Sequence, residues 1–270
     1  MFNNKKYLHI TSSTSSAGAL KVALNKGVQI AYAELNLATG CLPKNLSKDE
    51  YIRCKQHKLW DFGDGASFIL FGADLSKYEG IVVWHSIDVE SMLVLSMIAS
   101  CYEGKIYHID VSKSFKNQRC GELIGKQLLS CLNSCRELSS RQKSVLKRKY
   151  DELPHDRACI KKYVRHNFEI VDKEVLKKKL LQYVKTKPQS WRIPYCYVMA
   201  KSKLGEFYQD CFWVCMTLEL ICEGRAIISE MEFEPRKGCE YPLGSCLTTP
   251  YLYNGFELRQ LYSFKYFKVK

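Results

Sequence analysis

The sequence lacks the signals that most directly assign a chain of 270 residues to a class. No apolar run approaches the roughly 20 residues of a membrane helix, and no apolar segment follows the N-terminal lysines as in a secretion signal. Glycine-rich phosphate loops and the Gly-x-Ser-x-Gly elbow of serine hydrolases are also missing. We therefore expect a cytoplasmic protein without a membrane partner. No motif shows whether it is an enzyme, and none names a cofactor.

Cysteine is abundant, with 13 residues, but no Cys-x-x-Cys pair occurs. A secreted disulfide scaffold would be shorter and would carry a signal peptide. Two pairs, Cys131 with Cys135 and Cys211 with Cys215, have the spacing of one helix face. Neither pair has a histidine or a second cysteine pair at zinc-site spacing. We predict no metal site and expect the cysteines to pack as small apolar side chains.

The net charge of +13 is concentrated in the middle of the chain. Residues 136–187 hold 16 basic and 7 acidic side chains, while the two flanking parts are close to neutral. Such a segment attracts nucleic acid or other polyanions. Lysine-rich helices with a solvated charged face have the same composition, so both interpretations stay open.

The first 120 residues alternate between strand and helix patterns. Strands are predicted at Tyr7–Ile10, Val28–Ala33, Ile81–Trp84 and Lys105–Val111. The third is a continuous apolar run, as in parallel strands that are buried on both faces. Helices are predicted after Gly18, from the capping pattern Ser47–Glu50 through Trp60, and over Glu90–Cys101. This alternation predicts a Rossmann-like α/β domain with a mostly parallel sheet at residues 1–120.

The remaining residues, 121–270, have mainly helical patterns. We predict helices at Leu123–Leu132, Ser139–Leu153, Val175–Val184, Tyr195–Leu204 and Phe207–Glu223, the last ended by Gly224. Strand-like alternation follows at Ala226–Phe233 and Glu257–Val269. The sequence therefore predicts a second, mainly helical domain with C-terminal strands.

The chain also resembles a bacterial family known as domain of unknown function 1835, followed by the C-terminal domain that usually accompanies it. The resemblance covers most of residues 7–228. It is carried by His9–Ser12, Ser16–Lys21, Ile81–His85 with Glu90, Gly121–Gly125, Glu137–Leu153 and Asp210–Gly224. Ser13-Thr14 stands where the family commonly has Gly-Asp. The resemblance implies a two-domain architecture and the position of a site, but it implies no reaction.

The segment that follows the first predicted strand is rich in hydroxyl groups. It runs from Thr11 to Gly18 and leads into a helix, whose N-terminal N–H groups and dipole favour an anion. A serine-rich helix cap has the same appearance. The predicted ligand-binding residues here are Thr11, Ser12, Ser13, Ser15, Ser16 and Gly18.

Polar side chains also follow the third and fourth predicted strands. His85 comes directly after the apolar run, at the strand end where ligands bind in open α/β sheets. Asp88 and Glu90 begin the next helix, and Asp110 ends the next strand. We predict that His85 and Glu90 form a general acid–base pair and that Asp88 and Asp110 bind ligand. Asp88 and Glu90 also suit a helix start without any ligand, and Asp110 also suits the start of a turn. His9, inside a strand, is expected to be a satisfied core histidine.

These observations predict a small anionic ligand, nucleotide- or phosphate-like, at the strand C-terminal edge of the first domain. The alternative is a nucleic-acid-binding or regulatory module that uses the basic segment 136–187. Six cations are the candidate phosphate contacts of that alternative: Lys161, Lys162, Arg165, Lys177, Lys178 and Lys179. Ligand identity, reaction and oligomeric state do not follow from the sequence.

Overall fold

The computed structural model describes residues 2, 5–33, 35–56, 70–116, 118–186 and 189–190, and in the C-terminal part 212, 216, 219–220, 223–229, 252–253, 256–257 and 266–269. Within these residues the helices are α1 Thr14–Ala23, α2 Lys48–Gln56, α3 Val89–Cys101, α4 Val111–Ser114, α5 Gly125–Cys131, α6 Ser140–Asp151 and α7 Lys173–Thr186. The strands are β1 Tyr7–Thr11, β2 Gln29–Tyr32, β3 Gly80–His85, β4 Ile106–Asp110, β5 Arg136–Glu137, β6 Ile160–Val164, β7 Asn167–Val171, β8 Gln189–Ser190, β9 Ala226–Ser229, β10 Leu252–Tyr253, β11 Phe256–Glu257 and β12 Tyr266–Val269.

The central sheet has five strands in the order β2-β1-β3-β4-β5. The first four are parallel, and the short β5 pairs antiparallel with β4. Every residue of β1 and β3 is buried, as expected for strands that are covered on both faces. The predicted α/β fold with a mostly parallel sheet is confirmed.

One face of the sheet packs against α1 and α5. Val82, Trp84 and Ile109 share a buried cluster with Leu20 of α1 and Leu128 of α5. Because side chains alternate along a strand, Ile81, Val83 and His85 point to the opposite face. A right-handed connection from β3 to β4 places α3 over that opposite face.

Several predicted elements differ from those found. The helix predicted over Leu123–Leu132 is shorter, since α5 ends at Cys131 and a 3-10 turn follows at Leu132–Ser134. Cys135 lies beyond that turn, so it does not share one helix face with Cys131. The segment predicted as helical also contains β6 and β7, which form a two-stranded sheet.

The chain divides into two compact units. The first comprises Met1–Leu59, Gly65–Ile170 and Gly205–Phe207, and the second Trp60–Asp64, Val171–Leu204 and Tyr208–Lys270. The predicted boundary at residue 120 does not coincide with this division, because α5, β5 and α6 belong to the first unit.

In the second unit, α7 is described together with short parts of the following chain. Phe212, Met216 and Leu220 are helical and buried. Gly224 has a φ of 67°, which suits the predicted helix end. Strands β8, β12 and β9 form a sheet, and β10 pairs with β11. The predicted helix at Tyr195–Leu204 lies outside the described residues.

The cysteines of the described residues are all free thiols, seven in number. Five of them are buried, in agreement with the predicted packing role: Cys41, Cys54, Cys120, Cys131 and Cys135. Within the part of the chain that the structure describes, no helix is long and apolar enough to cross a membrane.

Candidate functional site

The first helix begins inside the hydroxyl-rich segment, earlier than the sequence indicates. Ser13 is the N-cap of α1, and its Oγ accepts a hydrogen bond from the Ser16 amide at 3.2 Å. The connecting loop is therefore Ser12–Ser13 alone. Gly18, which was predicted to lie in a ligand loop, is an exposed residue of the helix. A β-carbon added there would meet nothing within 4 Å, so no close backbone approach requires this glycine.

Two of the predicted hydroxyls face the protein interior. Thr11 and Ser16 are buried. The backbone of Gly121 lies against this helix start, because a β-carbon on Gly121 would be 3.0 Å from Ser15 Oγ and 3.1 Å from Ser16 N. Thr14 and Ser15 remain exposed, and Ser12 and Ser13 are half-buried. The accessible hydroxyls of the segment are thus fewer than the sequence predicted.

Asp88 is the N-cap of α3 and belongs to a buried cluster of hydrogen-bonded polar side chains. Its Oδ1 accepts from the Ser91 amide at 2.9 Å, and its Oδ2 accepts from the hydroxyls of Ser86 and Ser91. Asp110 caps the four-residue α4 in the same manner, accepting from the amide and hydroxyl of Ser112 at 3.1 and 2.5 Å. Both carboxylates hold the starts of helices, as N-cap aspartates commonly do.

Glu90 binds the loop that leaves β2. Its two carboxylate oxygens accept hydrogen bonds from the amides of Leu37 at 2.7 Å and Ala38 at 2.8 Å. Burial raises the pKa of this carboxyl to about 7, although the two amide hydrogen bonds favour the ionised form. Glu90 therefore holds a backbone segment in place.

Lys161 of β6 holds the same loop from its carbonyl side. The side chain is completely buried, and its ammonium donates to the carbonyls of Leu37, Gly40 and Cys159 at 3.0, 2.6 and 3.0 Å. Burial lowers the pKa of this group. Two side chains therefore bind the segment Leu35–Gly40: the carboxylate of Glu90 accepts from its amides, and the ammonium of Lys161 donates to its carbonyls.

His85 pairs with a histidine that the sequence analysis did not select. Its Nε2 lies 3.0 Å from Nδ1 of His108 on the neighbouring strand, and the two rings stack with an angle of 16° between their planes. His85 is only 6% exposed, and burial lowers its pKa. Burial also lowers the pKa of the half-buried His108 to about 4, assisted by the nearby His85 and Lys113.

The hydrogen bonds of His85 and Glu90 thus go to different partners and do not join the two side chains. His85 and Thr11 also lie on opposite faces of the sheet, since Thr11 shares its face with Tyr7 and the α1 cluster. What the topology does bring together is the Ser12–Ser13 loop and the Ser86–Asp88 loop, which follow neighbouring parallel strands.

The six cations of the nucleic-acid alternative have very different surroundings. Lys161 is buried, as described, and Lys177 is 1% exposed among Glu174, Glu219 and Glu223. Lys162 is ion-paired with Glu169 at 2.9 Å. Arg165 and Lys178 are exposed, and Lys179 is half-buried. The two buried ammonium groups cannot contact a phosphate in this conformation.

The fold and the strand ends define a class: an α/β protein whose polar loops gather at the carboxyl edge of a parallel sheet. No family model, curated protein or solved structure matches the chain. The resemblance to a bacterial family therefore stays a prediction. Among the described residues, no three histidine, cysteine, aspartate or glutamate side chains are placed to hold a metal ion.

Sequence reasoning missed His108, and it predicted Lys161 as a phosphate contact and not as a residue that binds the loop after β2. Strand alternation could have found His108, because it lies two residues before Asp110, the strand partner of His85. No local signal marks Lys161, whose partners at Leu37 and Gly40 are 124 and 121 residues away.

Proposed function

We propose that the chain binds a small anionic ligand, phosphate- or nucleotide-like, between the ends of β1 and β3. The observation that carries the proposal is the strand order β2-β1-β3-β4. The chain leaves β1 towards β2 on one side and leaves β3 towards β4 on the other. Open α/β sheets bind ligands in the crevice at such a reversal point.

The chemistry of the β1 end supports an anion. Helix α1 has ten residues, enough for its first-turn amides and dipole to attract negative charge. Thr14 and Ser15 are exposed there, and Ser12 adds a hydroxyl from the loop. In the facing loop Ile87 is 47% exposed and offers an apolar contact to a base or another apolar part of a ligand.

The proposal assigns binding and no reaction. Asp88, Asp110 and Glu90 are occupied by backbone amides and serine hydroxyls, so we assign them to shaping the edge. Ser13 and Ser16 are assigned to building the helix start. The residues proposed to contact ligand are Ser12, Thr14 and Ser15, together with the free amides of the first turn of α1.

The test replaces Thr14 by Glu. A carboxylate in the first turn stabilises a helix by about 0.3–1 kcal/mol, yet it repels an anion from the same amides. We expect Thr14→Glu to keep or raise the melting temperature and to abolish stabilisation by a panel of nucleoside phosphates and inorganic phosphate. Thr14→Gln, of the same shape but neutral, is the control and retains the ligand response. An unchanged response in Thr14→Glu would refute this site. The response is large enough to measure, since a ligand at 100 times its Kd stabilises the folded protein by about 2.7 kcal/mol.

The nucleic-acid alternative keeps one favourable observation, the exposed cations Arg165 and Lys178. Arg165 lies at the turn between β6 and β7 in a left-handed conformation, and Lys178 lies on α7. Charge reversal at either residue would weaken binding to heparin or DNA and reduce its salt dependence if this alternative holds.

A further inference from the structure

The hydrogen bond between the stacked imidazoles of His85 and His108 has a defined donor and acceptor. The contact Nε2(His85)···Nδ1(His108) holds one proton, which either nitrogen can carry. The other nitrogen of His85, Nδ1, faces the carbonyl oxygen of Ser86 at 3.4 Å. A carbonyl oxygen only accepts, so the favourable arrangement puts the proton of His85 on Nδ1.

The tautomer of His108 follows from that of His85. With its proton on Nδ1, His85 accepts at Nε2, and the donor is therefore Nδ1–H of His108. A neutral imidazole carries one proton, so Nε2 of His108 keeps a lone pair. Burial holds both rings neutral near pH 7, since it lowers the pKa of each.

The bare nitrogen of His108 is accessible. Among the described residues it has no hydrogen-bond partner, and it is not one of the buried polar atoms that lack one. His108 is half-buried, in contrast to the sealed His85. A hydrogen-bond acceptor that is not fully buried is therefore held in a fixed orientation.

Charged groups surround the pair unevenly. Asp110 raises the pKa of both rings, and the exposed Lys113 lowers both, which places the two charges within electrostatic range of the imidazoles. The carboxylate of Asp110 is already bonded to Ser112. Lys113 is exposed, so its ammonium is the nearby charge that is available to a ligand.

We propose that His108 is a ligand-binding residue, oriented by His85, whose Nε2 accepts a hydrogen bond from the hydroxyl of a hydroxyl-bearing anion while Lys113 meets the negative charge. The acceptor requires a donor on the ligand, and a hydroxyl supplies one without bringing a second positive charge next to Lys113. His85 is the positioning residue of the pair. The inference does not depend on the anion site at the start of α1.

The first experiment measures which imidazole nitrogens carry protons. In long-range ¹H–¹⁵N spectra of the full chain at pH 7, we expect both His85 and His108 to be protonated at Nδ1 and bare at Nε2. A proton on Nε2 of His108 would overturn the assignment.

The second experiment measures binding with two matched probes. Glycerol 3-phosphate and propyl phosphate carry the same charge, and only the first has hydroxyl groups. We expect the first to shift the His108 Nε2 resonance and the second to leave it in place, and Lys113→Met to weaken the response to glycerol 3-phosphate. Equal shifts with both probes, or none with either, would overturn the ligand class.

Variants separate orientation from folding. His85→Gln retains an acceptor near the position of Nε2, so it preserves the His108 tautomer and the glycerol 3-phosphate response, whereas His85→Leu loses both. His108→Asn keeps an N–H donor towards His85 but has no Nε2, so the protein folds and the ligand response disappears. A response to glycerol 3-phosphate that persists in His108→Asn would also overturn the proposal.

Discussion

His9 is a buried histidine whose two ring nitrogens both have hydrogen-bond partners. It is completely buried in β1, where Nδ1 accepts from the indole N–H of Trp84 at 2.9 Å and Nε2 contacts the Phe2 carbonyl at 2.8 Å. The predicted role of a satisfied core histidine is confirmed. Both ring nitrogens are used by the neutral form that is protonated at Nε2, and burial lowers the pKa to about 4.

This environment predicts a pH dependence of stability. A histidine whose folded pKa lies below its unfolded value of about 6.5 stabilises the fold fully above pH 6.5 and loses that contribution as the pH falls towards 4. We expect the free energy of unfolding to fall by up to about 3 kcal/mol over this window from His9 alone. Urea denaturation of the wild type and His9→Gln at several pH values measures the difference. An equally steep pH dependence in His9→Gln would assign the effect to other groups, such as His85 and His108.

Glu90 offers a second prediction at this scale. Glu90→Gln replaces one acceptor oxygen by an NH₂ group that faces a backbone amide, so we expect a loss of about 1–3 kcal/mol in the free energy of unfolding. Hydrogen exchange should accelerate at the amides of Leu37 and Ala38. Glu79→Gln, which breaks the exposed ion pair with Lys6, is the control and should leave both measurements unchanged. Unchanged exchange at Leu37 and Ala38 in Glu90→Gln would contradict the described contacts.

Residue identity alone did not separate these histidines and acids. The apolar run Ile81–Trp84 indicated a buried strand, but whether the following His85 is exposed depends on contacts such as the one with His108, 23 residues away on the neighbouring strand. The helix-start position of Asp88 was predictable from its residue type and place. The attachment of Glu90 to Leu37 and Ala38 was not, because it joins residues more than 50 positions apart.

At the scale of elements, the strands and helices of the sheet domain were predictable and their limits were less so. Helix α1 starts at Thr14 because Ser13 supplies the cap, although Thr, Ser and Gly are poor helix formers and suggested a loop. The β6–β7 turn carries Arg165 and His166 in left-handed conformations, where Asn or Gly normally signals a turn. A local cap sets the start of α1, and the β6–β7 turn forms without the residue types that normally signal one.

Two glycines give opposite predictions for this part of the fold. Gly18→Ala adds a β-carbon at an exposed helix position with free space, so we expect a gain of about 0.5–1 kcal/mol. Gly121→Ala brings a β-carbon to 3.0 Å from Ser15 Oγ and should lose about 1 kcal/mol or more. Thermal denaturation of both variants checks the pair. A loss of stability in Gly18→Ala would indicate that the glycine is needed for close approach after all.

At the scale of the whole molecule, the excess of positive charge is not equivalent to a binding surface. In the second unit Lys177 lies among three carboxylates, and although burial opposes ionisation, hydrogen bonds to Glu219 and Glu223 raise its pKa overall. The sequence predicted the amount of charge in residues 136–187, but not which ammonium groups are consumed by internal ion pairs.

Lys177 and Lys178 therefore form a matched pair of neighbouring substitutions. Lys177→Met removes a buried ammonium from the buried carboxylate of Glu219, which keeps its ion pair with Lys173, and should cost about 3 kcal/mol. Lys178→Met, at an exposed position, should change stability by less than about 0.5 kcal/mol. Chemical denaturation measures both. Equal effects would mean that the ion-pair cluster does not form in solution.

The hydrogen bonds of Glu90 and Lys161 to Leu35–Gly40 have a consequence for the order in which parts of the protein can fold during synthesis. During synthesis the first four strands emerge well before Lys161 is added. Until then the carbonyls of Leu37 and Gly40 have no ammonium to meet them. A truncated chain of residues 1–120 would permanently lack that partner, and we expect it to expose this loop to proteases that the full-length protein resists.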